Sequence, residues 1–235
     1  MSGRKPPVSV LITTEHASAA VPERWRPLFA GHEAILQTHR AWDPGSRELG
    51  RALAEVLDAP LLEGQVTRLL VDLNRSAGHP RLFSEFSRAL PASQRHVLMA
   101  EYWQPHWQAY AETVTRLPGP VLHLACHSFT PVLDGVVRTA DIGLLYDPAR
   151  PGERRWCQGL RSAIAERLPG LRVRMNYPYR GVSNGLGQQH RRRFRAAQLI
   201  TMELEVNTAL VDGPGWDRIM TGLVAAVSRA AGSRC

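Results

Sequence analysis

The stretch VLHLACHSFTPVLDGVVRTADIGLLY, residues 121–146, carries most of the information about the fold. It begins with the apolar run Val121–Cys126 after a Gly-Pro turn, a pattern typical of a buried strand in a parallel or mixed sheet. His127 and Ser128 follow at the predicted carboxyl end of this strand, where open α/β sheets bind their ligands. The second apolar run, Ile142–Tyr146, predicts another strand, so the loop between the two runs is a candidate functional site.

Length and composition predict one globular domain over residues 1–235. The apolar fraction of 44% and the charged fraction of 21% are ordinary for a folded protein of this length. No run approaches the ~18 uninterrupted apolar residues that a membrane helix needs. The N-terminal sequence MSGRKPPVSV lacks the apolar segment of a signal peptide, so we expect a cytoplasmic protein that does not contact a membrane. Cys126 and Cys157 lie in apolar patterns and are expected in the core.

The chain is basic, with a net charge of +8 and a pI near 10.2. Most of the excess is arginine spread along the sequence, and the one cluster, HRRRFR at residues 190–195, carries no RNA-recognition, helix-turn-helix or zinc-finger pattern. A basic nucleic-acid-binding protein is therefore a distant alternative. An anionic small molecule is the favoured ligand class, since positive charge attracts anionic substrates.

Strand-like and helix-like segments alternate along the chain, which predicts an α/β protein with helices on both faces of its sheet. Asp43 and Pro44 form a typical helix N-cap and first-turn pair. Further strands are predicted at residues 8–14, 59–62, 66–73, 171–175 and 199–206. Further helices are predicted over residues 44–57, 91–117 with a break near Pro105, 151–168 and 215–231.

Polar residues stand where several of these strands end. They are Glu15 and His16, Asn74 and Arg75, His127 and Ser128, with Glu203 and Glu205 inside the last strand. Two histidines and one carboxylate from separate segments are the composition of a catalytic zinc site with one open position. His16 and His127 are the candidate nitrogen ligands and Asp43 the candidate oxygen ligand. Glu15 is the alternative ligand, or a group that orients His16.

Each of these residues also has a plain structural interpretation. His127 is compatible with a strand-end histidine bonded to backbone, and Asp43 with an ordinary helix N-cap. Glu205 is compatible with a strand carboxylate facing solvent, on the same side as Glu203. No short-spaced zinc motif supports the proposed ligand set by itself.

Six blocks of the chain resemble the N-formylglutamate amidohydrolase family between residue 11 and about residue 207. They are TTEHASAAVP, HRAWDPGSRELG, TRLLVDLNRS, HLACHSFTPVLDGVVRTADIGLLYDPAR, MNYPYRGVSNG and MELEVN. The sequence departs from the expected pattern where a glycine pair is replaced by Ala17-Ser18 and an aspartate by Asn184. An alanine restricts backbone angles that a glycine allows, so the loop beside His16 could differ.

The resemblance implies a zinc-peptidase-like (phosphorylase/hydrolase-like) fold, a three-layer α/β/α sandwich around a mixed, mostly parallel sheet. It implies zinc-dependent hydrolysis of an N-acyl amino acid, with N-formyl-L-glutamate giving formate and L-glutamate in histidine catabolism. The nearest alternative is a related zinc amidase acting on another N-acyl amino acid or a peptide-like amide. The implied metal ligands are His16, Asp43 and His127, and Glu205 is the implied catalytic carboxylate.

The remaining expected roles concern the substrate. Arg75 is expected to assist at the oxyanion, and Arg75 and Arg180 to pair with the substrate's carboxylates, since guanidinium groups bind carboxylates in a bidentate manner. Asn74 and Ser128 are expected to complete the substrate site.

Overall fold

A six-stranded sheet forms the centre of the molecule in this computed structural model, which describes residues 8–232. Its strands are β1 (Ser9–Thr14), β2 (Leu61–Glu63), β3 (Val121–Phe129), β6 (Ile142–Leu145), β7 (Val173–Met175) and β8 (Leu199–Asn207), and a separate hairpin comprises β4 (Val132–Leu133) and β5 (Val136–Val137). The strand order is β2-β1-β3-β8-β6-β7, and all neighbours are parallel except β6 and β8. The central strands β3 and β8 are covered on both faces, which explains their long apolar runs.

Helices cover both faces of this sheet. They are α1 (Ser46–Leu57), α2 (Glu85–Arg88), α3 (Ala92–Leu98), α4 (Gln104–Arg116), α5 (Pro151–Arg167), α6 (Leu186–His190), α7 (Thr208–Val211) and α8 (Trp216–Gly232), with 3₁₀ segments at Glu23–Phe29 and Glu33–Gln37. Residues of α1, α5 and α8 form the largest apolar cluster with one face, and α4 packs Tyr110 and Val114 against the other. The predicted three-layer α/β/α fold is confirmed.

Most predicted elements form close to their expected bounds. The helix predicted over residues 91–117 is present, and the expected break takes the form of a π-helical segment, Met99–Trp103, immediately before Pro105. Proline has no backbone N–H to donate, and a π turn at this point accommodates the missing helical hydrogen bond. Cys126 and Cys157 are buried free thiols whose pKa values burial raises, as expected of core residues.

Three local predictions were wrong. Residues 66–73 form turns rather than a strand, because their apolar side chains are buried in a second cluster beneath the 3₁₀ segments. Asp43 does not cap α1, since Gly45 occupies the N-cap with a positive φ of 78° and without a side-chain cap. His127 and Ser128 lie within β3 and not beyond it, because pairing with β8 continues as far as Phe129.

Within residues 8–232, no helix combines the length and the apolar character that crossing a membrane requires. Most of the N-terminal stretch behind the signal-peptide prediction lies outside the described residues.

Candidate metal centre

Neighbouring strands bring three separated segments to one edge of the sheet. β1 and β3 are parallel, so their carboxyl ends meet, and His16 follows the end of one while His127 lies near the end of the other. The loop before α1 supplies Asp43, whose backbone N–H donates to the His16 carbonyl at 2.9 Å. This bond holds the carboxylate beside both imidazoles.

His16, Asp43 and His127 each offer a ligand atom, and these atoms lie within 4.8 Å of one another. The Oδ2 atom of Asp43 is 3.4 Å from His16 Nδ1 and 2.9 Å from His127 Nδ1. All three residues are buried, and His16 Nδ1 has no hydrogen-bond partner among the described residues. Two imidazole nitrogens and one carboxylate oxygen around a common point fit a divalent cation such as zinc.

Carboxylates behind the two imidazoles fix which ring nitrogen is available to a cation. His16 Nε2 lies 2.7 Å from Asp72 Oδ1, and His127 Nε2 lies 3.1 Å from Glu15 Oε2. An ionised carboxylate only accepts hydrogen bonds, so each Nε2 donates to the carboxylate behind it. Each Nδ1 is then the nitrogen that a cation would bind, after it has displaced any proton that Nδ1 shares with Asp43. The geometry thus favours Asp43 as the third ligand and places Glu15 behind His127, where it orients the ring.

The titration behaviour of the two histidines differs. Burial, with Arg68, lowers the pKa of His16 to about 4. Burial also acts to lower the pKa of His127, but the bond to Glu15 outweighs it and raises that pKa to about 9. A cation that binds His127 near neutral pH would therefore release a proton.

A hydrogen-bonded chain beneath the site supports Glu15. Thr13 Oγ1 donates to Glu15 Oε1 at 2.6 Å, and it must therefore accept from His123 Nε2, 2.8 Å away. His123 Nδ1 then accepts from Thr201 Oγ1 at 2.7 Å. These residues are at most 1% exposed, so the chain is shielded from water and holds the Glu15 carboxylate in one orientation.

Glu205 lies beside this cluster on β8. Its backbone is in register with His127 on β3 and with Gly143 on β6, and it is 4% exposed. Burial raises the pKa of Glu205 to about 7, although His127 and Arg68 oppose the shift. One carboxylate oxygen, Oε2, has no hydrogen-bond partner among the described residues. The group is therefore able to accept and return a proton near neutral pH.

The N-formylglutamate amidohydrolase family profile matches residues 8–211. The chain belongs to this family. Membership places it among the hydrolases that cleave the amide bond of an N-acyl amino acid. Comparison with curated protein sequences gave no significant match.

Solved structures share the fold of this N-formylglutamate amidohydrolase family member. A gene product of Agrobacterium tumefaciens superposes with a TM-score of 0.82 at 26% identity, over 97% of this chain and 92% of that one. The N-formylglutamate amidohydrolase of Ralstonia eutropha superposes with a TM-score of 0.70 at 18% identity, over 98% of this chain and 94% of that one.

The candidate substrate residues of this family member lie at different distances from the centre. Asn74 is adjacent, with Nδ2 3.4 Å from His127 Nε2 and Oδ1 accepting from the Leu186 N–H. Arg75 follows it, and its Nη1 donates to the carbonyls of Asn74 and Asn184, both at 2.8 Å. Arg180 is exposed in the loop between β7 and α6.

Ser128 is separated from the imidazoles by the alternation of β3. Its hydroxyl is buried without a hydrogen-bond partner among the described residues, and its side chain is directed to the sheet face opposite that of His127.

The two departures from the family pattern have local structural consequences. Asn184 bonds both the backbone N–H and the hydroxyl of Ser76, at 3.0 and 2.8 Å. It therefore joins the loop before α6 to the loop that carries Arg75. Ala17 is buried directly after His16, and its N–H donates to the Thr14 carbonyl. The tight turn thus forms with alanine in place of glycine.

Three charged residues around the centre were not predicted from the sequence. Arg68 forms an ion pair with Asp43 through its other carboxylate oxygen, and Asp72 holds His16. Arg138 is buried and its charge influences the pKa of Glu205. Arg68 and Asp72 lie in the segment that was predicted to be a strand, at either end of the apolar residues Leu69–Val71. Charged residues are rarely buried without a partner, so their presence inside an otherwise apolar run was the signal that could have identified them.

Proposed function

We propose that the chain is a zinc-dependent hydrolase that converts N-formyl-L-glutamate to formate and L-glutamate. The observation that carries this proposal is the buried Glu205 beside the His16, Asp43 and His127 cluster, in a chain of the N-formylglutamate amidohydrolase family. An orphaned imidazole nitrogen and an orphaned carboxylate oxygen in one buried site supply a ligand atom and a base. The net charge of +8 favours the approach of an anionic substrate.

Each side chain has a defined part in this reaction. Zinc held by His16, Asp43 and His127 would polarise the formyl carbonyl and make water a stronger nucleophile. Glu205 takes the proton from the attacking water and delivers it to the departing amine, since its pKa of about 7 allows both transfers. Asp72 and Glu15 keep the imidazoles aligned, and Arg75 assists at the developing oxyanion.

The direct experiment measures formate release from N-formyl-L-glutamate together with metal content. We expect one zinc per chain by elemental analysis, activity that a chelator removes, and recovery when zinc is restored. Stoichiometric zinc in a His16→Ala or His127→Ala variant would exclude that residue as a ligand. Absence of formate release from the zinc-loaded protein would refute the proposed reaction.

A substrate panel separates this proposal from the nearest alternative. N-acetylglutamate and uncharged N-formyl amino acids should be poorer substrates than N-formylglutamate. A higher kcat/KM for another acyl group or a peptide-like amide would instead assign a related amidase. We further propose that the enzyme acts in the cytoplasm in histidine breakdown, without nucleic-acid or membrane partners. Salt-sensitive retention on DNA or RNA would contradict that part.

A further inference from the structure

Arg138 is a buried guanidinium at the base of the β4–β5 hairpin. It directly follows Val137 and is only 8% exposed, although arginine is rarely buried unless it is paired. Its guanidinium carbon lies 5.0 Å from the centre of the Tyr179 ring and 5.7 Å from that of Phe129. The two rings hold the charged group in place and shield it from water.

The bonds of Arg138 are made to neutral groups. Its Nη2 donates to the Tyr179 hydroxyl at 3.0 Å, and its Nη1 makes a long contact of 3.4 Å to the Thr130 carbonyl. Among residues 8–232, no carboxylate oxygen comes within 4.0 Å of this guanidinium. A desolvated cation without a counter-charge is costly, so its surroundings favour the arrival of an anion.

The position of Arg138 in the fold connects this unpaired guanidinium to the candidate metal centre. The hairpin begins just after β3, the strand that carries His127. The Arg138 guanidinium lies over Phe129, which is two residues beyond His127 on β3 and on the same face of the sheet. Phe129 is in register with Asn207 on β8, just as His127 is in register with Glu205. Arg138 and its partner Tyr179 therefore lie beside the carboxyl ends of the two strands that carry His127 and Glu205.

The other candidate arginines are less available to bind an anion at this position. Arg75 uses its Nη1 on two backbone carbonyls, and Arg68 is paired with Asp43. Arg180 is exposed in its loop.

We propose that Arg138 binds a carboxylate of the substrate and, positioned by Tyr179, determines the preference for acidic N-acyl amino acids. This inference rests on the proposed function and adds a residue to which no role has been assigned. Guanidinium and carboxylate groups match in geometry, and the pair would form where water is excluded. N-formylglutamate carries two carboxylates, and either one is a chemically suitable partner.

Isosteric amides distinguish the two carboxylates. The substrates are N-formylglutamate, N-formylglutamine, which lacks the side-chain charge, and N-formylglutamic acid α-amide, which lacks the α-carboxylate. For Arg138→Met we expect kcat/KM on the diacid to fall about 10- to 150-fold, as loss of a charged hydrogen bond predicts. The fall should disappear with the amide whose missing carboxylate is the partner of Arg138. Arg138→Lys should recover part of the loss.

Arg174 provides a matched control. It also stacks on a tyrosine, with its guanidinium carbon 4.1 Å from the Tyr177 ring centre, and bonds Thr139, but it is exposed. Arg174→Met should leave the substrate preference unchanged. An equal loss on all three substrates in Arg138→Met would show a merely structural role and overturn the proposal.

Calorimetry of product binding gives the same test without turnover. L-glutamate should bind the zinc-loaded Arg138→Met variant about 10- to 150-fold more weakly than the wild type, and one of glutamine and isoglutamine should bind both proteins equally. Equal L-glutamate affinity in the two proteins would refute the role of Arg138. If the wild type hydrolyses none of the formyl substrates, the proposed reaction fails, while this binding comparison still decides the role of Arg138.

Discussion

The imidazoles of the candidate metal centre are each held from behind by a carboxylate. Asp72 accepts from His16 and Glu15 lies against His127, so removal of either acid frees the ring to rotate or change tautomer. We expect Asp72→Asn and Glu15→Gln each to weaken zinc binding by about 10- to 100-fold. Competition with a chromophoric chelator measures this affinity.

The control for these substitutions is Glu166→Gln, which removes an exposed carboxylate that is paired with Arg229 on the surface. It should leave the zinc affinity unchanged. Unaltered affinity in both Asp72→Asn and Glu15→Gln would mean that neither acid supports the ligands.

Glu205 is the residue on which turnover should depend most. In Glu205→Gln the side chain keeps its size but cannot take a proton, so kcat should fall by about 10²- to 10⁴-fold. Zinc content and melting temperature should be retained, because the structure places Glu205 beside the ligand set and not within it. Steady-state formate release gives kcat, and a normal value would remove Glu205 as the base.

At the level of elements, local sequence patterns identified the strands with continuous apolar runs and the helices with a periodic apolar face. The long run of β8 and the periodic faces of α5 and α8 appear close to the predicted bounds, and β3 begins where predicted but extends to Phe129. Residues 66–73 were misassigned because an apolar run buried beneath a long loop has the same composition as a buried strand. That error hid Arg68 and Asp72, which act on the ligands from turns.

Gly143 on β6 packs so closely against its neighbours that it gives a prediction about stability. A Cβ at Gly143 would lie 2.0 Å from the Tyr177 carbonyl oxygen and 3.1 Å from the Glu205 Cβ, so backbone would have to move. We expect Gly143→Ala to lower the free energy of unfolding by about 1–3 kcal/mol. Urea denaturation measures this change.

A second glycine on α5 is the matched control. Gly159 is exposed, and a methyl group added at its Cα would meet no atom within 4 Å. Gly159→Ala should raise stability by about 0.5–1 kcal/mol, because alanine is the better helix former. Equal effects at the two positions would contradict the steric account of β6.

At the scale of the whole molecule, local sequence patterns could not predict which distant residues come together in the fold. His16, Asp43 and His127 are far apart in sequence, and no short motif joins them. Their positions at predicted strand and helix ends suggested the set, and the family resemblance supported it. The pairing of β3 with β8 sets Glu205 opposite His127, and strand register of this kind is fixed by the assembled sheet. Arg138 depends on the hairpin and Tyr179 meeting, which the sequence alone did not indicate.

The buried chain beneath the centre makes global stability depend on pH. Burial lowers the pKa of His123 from 6.5 to about 3, with His190, Arg191 and His127 acting in the same direction and Glu15 opposing them. Between these values the unfolded chain binds the extra proton, so stability falls as the pH drops below 6.5, by up to about 1.4 kcal/mol per pH unit. His123→Gln removes this proton, and urea unfolding at pH 7 and pH 5 should show a shallower dependence than in the wild type. Parallel dependences in the two proteins would show that His123 does not titrate on unfolding.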